Sequence, residues 1–374
     1  MARPEPFVVG FGDDAIADLR ARLTRTRWPE RETVDDWSQG VPLAYARELC
    51  RYWAEEYNFV AAQERLNTFP QYRCLIDGLA IHFVHVRSPH PDAVPLVLTH
   101  GWPGSFVEFL GAIDALANPP DPTDAFHVVV PSLPGFGFSE RPSSPGWDLT
   151  RIALAWDTLA RTLGYERYGV QGGDWGALLT AAQARHCGDH LLGIHVNMPV
   201  VPFDRIDTSD PTEEERDALE RAAFHANWGR GYAAIQSTRP QTLGYGLTDS
   251  PAAQCAWILE KCWSWTDNAG DPAQALSRDQ MLDNISVYWF TGTAASSARL
   301  YWEGLRNADA EPIDVPTGVS VFPREIIPAS RSWAESRYHD LRHYRRLDRG
   351  GHFAAWEQPE LFVDEVRTFF RTVR

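Results

Sequence analysis

Asp174 stands at the centre of the run QGGDWGA, with glycines at 172, 173 and 176. The Gly172/Gly176 frame has the spacing of G-x-S-x-G, a sharp strand-to-helix turn that exposes the middle side chain. A serine at such a turn attacks carbonyl groups and needs a base to take its proton. A carboxylate is already anionic near neutral pH and suits displacement of a leaving group at a saturated carbon. Two further groups follow in the order acid, then histidine: Glu325 in FPREI and His352 in RGGHFAAWE, each just past an expected strand. A histidine oriented by a carboxylate is the usual arrangement for drawing a proton from water.

Two other acids compete with Glu325. Asp314 precedes its expected strand and should lie at the opposite edge of the sheet. Asp348 is four residues before His352 and is expected at the surface, paired with Arg346 or Arg349. Asn197 occupies the place after the preceding strand where an acid could also sit, which leaves Glu325 as the expected partner of His352. Ser105 and Ser132 lie in no nucleophile turn. PGFGFSE has close glycines but no dinucleotide fingerprint, and His186, His190 and His195 have no metal-like spacing. Neither cofactor nor metal is expected.

These groups need a rigid scaffold. A chain of 374 residues with 44% hydrophobic content can bury a large core, and its formal charge of −15 offers no basic face to nucleic acid. The five cysteines, Cys50, Cys74, Cys187, Cys255 and Cys262, are scattered, so a reduced compartment is expected, and Cys255 and Cys262, seven apart at the spacing of one helix face, read as buried thiols. Neither a signal peptide nor a membrane span is apparent, so a cytoplasmic protein is expected. Lys261 is the single lysine.

The pattern along the chain divides in four. Residues 1–90 form a lead-in domain. In it, a helix with Ile16, Leu19, Leu23 and Trp28 is expected behind an Asp13-Asp14 cap and stopped by Pro29, and a hairpin about Asp77-Gly78 begins the sheet. Residues 91–202 alternate short apolar strands with helices, the sign of a mostly parallel sheet flanked by helices. Residues 203–310 lose the strands and read as an inserted helical cap, and 311–374 return to the sheet. His100-Gly101, Asp174 and Asn197 fall at carboxyl ends of strands, where such sheets bind ligands.

HGWPGS at 100–105, GGDWGA around Asp174 and GGHFAAWE around His352 resemble the microsomal-type epoxide hydrolases of the α/β-hydrolase fold, and nearly the whole chain takes part. The N-terminal RTRWP and the cap segments around GYAAIQ and RLYWEG belong to the same resemblance. Membrane-bound members begin with an anchor helix; none is read here, so a soluble protein is expected. The resemblance implies attack of Asp174 on an epoxide and hydrolysis of the ester by water activated by His352 and Glu325. It implies backbone N–H groups of Trp102 and Trp175 as the oxyanion site; Trp102 is expected to contribute its backbone rather than its ring. Tyr232 and Tyr301 would donate to the epoxide oxygen.

The expected partners are a hydrophobic, aromatic-tolerant epoxide and water, with secondary metabolism (antibiotic biosynthesis included) or detoxification as the setting, and a homodimer left open. Haloalkane dehalogenase is the nearest rival, since it too uses an aspartate. A halide leaves without a proton, however, so the tyrosines favour the epoxide. A non-catalytic receptor on the same fold is disfavoured by the presence of nucleophile, acid and histidine together.

Overall fold

The computed structural model describes residues 3–202, 205–305 and 311–374. Nine strands form one sheet: β1 (Glu5–Phe7), β2 (Gln71–Ile76), β3 (Leu79–Val86), β4 (Val94–Thr99), β5 (Phe126–Pro131), β6 (Tyr168–Gly172), β7 (Leu191–Val196), β8 (Thr317–Val321) and β9 (Leu341–Arg346). Their spatial order is β1-β2-β3-β5-β4-β6-β7-β8-β9. The first three pairs in this order are antiparallel and the other five parallel. The β2-β3 hairpin turns at Asp77 and Gly78, with φ of 49° and 78°, the left-handed pair that a two-residue turn requires. From β4 the chain goes to β5 on one side and later returns to β6 on the other. The strand order thus reverses at β4, and a crevice opens at its carboxyl end.

Between β7 and β8 the described residues form helices and no strand: Glu213–Phe224, Gly231–Thr238, Pro240–Asp249, Pro251–Trp265, Arg278–Thr291 and Ala294–Gly304. The first begins with a capping box of Thr212 and Glu215, and the Arg278–Thr291 helix with one of Ser277 and Gln280. The N-terminal segment grips that second helix. Trp53 donates its indole N–H to Ser286 at 3.0 Å, Tyr57 its hydroxyl to Asp283 at 2.5 Å, and Arg65 bonds both Asp283 oxygens at 2.7 and 2.8 Å. The same helix reaches down to the loop after β4. Asn284 Nδ2 donates to Pro103 O and the Tyr288 hydroxyl to Gly104 O, both at 2.8 Å. The lead-in segment thereby fixes the site at second hand.

Two local expectations change. The first helix spans Asp13–Thr24, with Gly12 as its cap and the two aspartates inside its first turn, so Trp28 lies outside it. The hydroxyls of Thr24 and Thr26 bond back to Arg20 O and Arg22 O, competing with continuation of the helix before Pro29 is reached. Asp348 is exposed as expected, but Arg346 pairs with Glu214 and Arg349 with Gln358. All five cysteines are buried, and no helix among the described residues is long and apolar enough to cross a membrane.

Gly176 marks where sheet and helix press hardest: a Cβ there would lie 1.9 Å from Thr99 O on the neighbouring strand. Backbone cannot move aside as a side chain can. Gly176→Ala is therefore expected to destabilise the fold by about 3 kcal/mol, read from the urea midpoint. An unchanged midpoint would mean that the turn has slack the geometry denies.

Candidate active site

Asp174 follows β6 and precedes the helix Trp175–Cys187, with φ 49° and ψ −126°. A non-glycine residue held there stores about 1–3 kcal/mol of strain, and the turn lifts its carboxylate clear of the sheet. The loop after β4 passes directly over that carboxylate. A Cβ on Gly101 would lie 2.1 Å from Asp174 Oδ1, so only glycine lets the two meet. As a result the Trp102 N–H donates to Oδ1 at 2.8 Å. The Trp175 N–H, expected as a second donor, makes no hydrogen bond to the resting carboxylate among the described residues.

His352 follows β9, and Glu325 follows β8. The two loops are tied by the Arg324 N–H to Gly350 O and a bridge between Arg324 and Gly351. Nδ1 of His352 lies 2.8 Å from Glu325 Oε1, and Nε2 lies 3.3 Å from Asp174 Oδ2. All three expected members therefore meet, whereas Asp314 is exposed and paired with His339 at 2.9 Å. Asn197 supports the group: it accepts from Gln171 at 2.9 Å and donates to His352 O at 3.5 Å. Burial would lower the imidazole pKa, but the charges and hydrogen bonds of Glu325 and Asp174 outweigh it and raise His352 well above its ordinary value.

Tyr232 and Tyr301 come from the helices Gly231–Thr238 and Ala294–Gly304 and lie 5.8 Å apart, ring to ring. Both pack on the Trp102 indole, Tyr232 stacked at 5.0 Å and Tyr301 edge-on at 5.9 Å. Trp102 thus meets Asp174 through its backbone, as expected, and packs against both phenol rings with its side chain. Trp175 adds an edge contact to Tyr301 at 4.8 Å. The Tyr301 hydroxyl is buried without a hydrogen-bond partner among the described residues. By contrast, Tyr288 bonds Gly104 O, Tyr165 bonds His85, and Tyr245 is exposed. Burial, reinforced by the Asp174 charge, pushes both active-site phenols up, keeping them neutral donors.

Two groups near the site escaped sequence reasoning. Lys261 is buried with its ammonium 4.5 Å from the Tyr232 ring centre and paired with Glu260, and its being the single lysine was the available signal. Glu108 lines a small cavity with Asp174 and His352. Its signal was an acid in the otherwise apolar run FVEFLGAI. An open cavity of about 1610 Å³ shares Tyr232 and Glu325 with the site, with Trp37, Phe224, His225, Trp228 and Trp265 also among its walls. Among the described residues no cluster of three or more His, Cys, Asp or Glu could hold a metal ion.

Fold and site together define an α/β-hydrolase with a carboxylate at the nucleophile turn. The alpha/beta hydrolase fold family matches residues 94–248, and the family described as Epoxide hydrolase N terminus matches residues 4–109. A candidate epoxide hydrolase of Stigmatella aurantiaca is 53% identical over 99% of this chain and 85% of its own length. Epoxide hydrolase 1 of Sus scrofa is 33% identical, with 97% of this chain and 88% of that protein covered. The crystal structure of juvenile hormone epoxide hydrolase from Bombyx mori superposes with a TM-score of 0.93 at 32% identity, covering 100% of this chain and 95% of that one. The Aspergillus niger epoxide hydrolase structure gives 0.90 at 31%, covering 99% and 97%. The chain belongs to the epoxide hydrolase family.

The raised pKa of His352 has a measurable consequence. Its folded value lies above the unfolded value of about 6.5. The stabilisation is therefore complete below the unfolded value and is lost as pH rises through the folded one. Nitrogen-15 NMR is expected to find His352 protonated at pH 7, and Asp174→Asn to lower its pKa by removing one of the two carboxylate charges. A neutral His352 at pH 6 in the unmodified protein would contradict this electrostatic reading.

Proposed function

We propose that this epoxide hydrolase converts a hydrophobic epoxide to a vicinal diol through an alkyl ester on Asp174. The observation that carries the reading is the buried, unpartnered Tyr301 hydroxyl beside Tyr232, on the tryptophan whose N–H holds the Asp174 carboxylate. A neutral donor near an anionic nucleophile serves a leaving oxygen that needs a proton, which a halide does not. The aromatic walls of the large cavity support an apolar substrate.

In the first step Asp174 Oδ2 attacks an epoxide carbon. The C–O bond breaks, and the freed oxygen takes a proton from the tyrosine pair. Oδ1 remains under the Trp102 N–H and becomes the ester carbonyl oxygen, so the donor that orients the nucleophile then stabilises the oxyanion. The Trp175 N–H is the proposed second donor. Esterification also erases the Asp174 charge. His352 then keeps only Glu325 as counter-charge, its pKa falls, and it becomes a base for water. Water adds to the ester carbon, His352 passes the abstracted proton to the departing diol oxygen, and the proton released as Asp174 returns to carboxylate restores the tyrosine pair.

His352→Gln, treated with styrene oxide, is expected to gain the mass of one epoxide on the intact protein and keep it. An unmodified protein at saturating substrate would sink the division of labour. Tyr232→Phe and Tyr301→Phe are each expected to slow ester formation on the order of 10²-fold, as for loss of one preorganised donor, while ester decay stays near the parental rate. If the double variant forms ester at the parental rate, the tyrosines only pack, and a leaving group that needs no proton becomes the better reading.

A further inference from the structure

Glu108 is buried at 9% exposure, with Oε1 unpartnered among the described residues. A carboxyl held this way costs stability and calls for an account. Nor has it drifted there. It sits in the 3-10 turn Phe106–Phe109, capped by Ser105, whose hydroxyl accepts the Val107 N–H and donates to Asn284 Oδ1 at 2.7 Å. Asn284 and Tyr288 hold the preceding Pro103 and Gly104 carbonyls, so the turn is clamped from the cap side. Room for the carboxyl exists only because residue 104 lacks a side chain: a Cβ on Gly104 would lie 1.4 Å from Glu108 Oε1.

Glu108, Asp174, His352 and Asn197 line one small cavity of about 10 Å³, the space one water needs. Burial pushes the Glu108 carboxyl up to about 8, with His352 opposing and Asp174 adding to the rise, so the group is chiefly the neutral acid at neutral pH. A neutral acid leaves the electrostatics of His352 intact while still offering a carbonyl oxygen to a water.

We propose that Glu108 is a further catalytic residue, which holds the hydrolytic water in this chamber between its Oε1 and His352 Nε2. The inference rests on the ester reading above. The water oxygen bonds to the Asp174 carboxyl carbon as one of its protons passes to Nε2 and then to the departing diol oxygen. The bond between the Asp174 carboxyl carbon and the ester oxygen breaks, and the diol leaves with that oxygen. The second proton, pointed at Oε1 during the attack, is the one freed when Asp174 returns to carboxylate. Glu108 thereby fixes the direction of the water's lone pair and takes no part in ring opening.

The test separates the two steps in single turnovers of styrene oxide, with intact-protein mass measured on quenched samples. Glu108→Leu is expected to form ester at the parental rate and full amplitude, which also shows that it is folded, and to hydrolyse it on the order of 10²-fold more slowly. Glu108→Gln keeps an oxygen in place of the neutral acid and is expected to recover most of the decay rate. Gly104→Ala, which leaves Glu108 in the sequence but drives its carboxyl from the chamber, is expected to slow decay like the leucine variant. Parental ester decay in Glu108→Leu or Gly104→Ala would overturn the proposal, as would a Glu108→Gln enzyme as slow as Glu108→Leu. If His352→Gln accumulates no ester, the failure belongs to the ester reading instead, so the two remain distinguishable.

Discussion

A buried imidazole lies between two carboxylates, 2.8 Å from one and 3.3 Å from the other. Removing such charges from water costs several kcal/mol per ion after relaxation, and their mutual attraction offsets this only when the contacts are close and held. The architecture supplies that constraint. Asp174, Glu325 and His352 follow β6, β8 and β9, all parallel with their carboxyl ends at one edge. A sheet of hydrogen-bonded parallel strands can keep three side chains in contact without any bond along the chain between them. The strained backbone at Asp174 is tolerated because the helix behind it and β4 beside it leave the turn no other course.

Trp102 couples the two halves of the molecule. Its N–H belongs to the sheet domain's loop and bonds the Asp174 carboxylate, while its indole is the surface on which both cap tyrosines rest. The cap answers by holding that loop from above through Asn284 and Tyr288, and the N-terminal helices hold the cap through Asp283 and Ser286. Movement of the cap would shift the tyrosine pair and the Asp174 carboxylate, the proposed proton donor and nucleophile, together. That suits a reaction in which attack and protonation must act on one three-membered ring at once.

Much of this was legible in the residues. The elbow was readable because glycine at 172 and 176 is a steric demand, which leaves a fixed spacing in the chain. The hairpin at Asp77-Gly78 was readable for a similar reason, since left-handed φ restricts residue choice. Glu325 was chosen over Asp314 by which end of a strand each occupies, and the contacts follow that choice. What was not legible depends on packing between distant segments. The Trp102 ring makes its contacts with residues about 130 and 200 positions away, the first helix stops early through hydroxyl bonds that compete with a good apolar pattern, and Glu108 looks like any acid in a helix until the space over Gly104 is seen. The tyrosines were found through resemblance alone, because aromatic residues are abundant in the cap and spacing does not mark two of them.

On the proposed route Asp174 bonds to the substrate and water attacks the resulting ester, not the epoxide. One turnover in water enriched in oxygen-18, with enzyme in excess over epoxide, tests it most directly. Because the water oxygen adds to the Asp174 carboxyl carbon and the diol keeps the aspartate's original oxygen, mass spectrometry should find the label in the peptide containing Asp174 and none in the first-turnover diol. Label in that diol, with Asp174 unlabelled, would mean that water opens the ring itself and that Asp174 acts as its base.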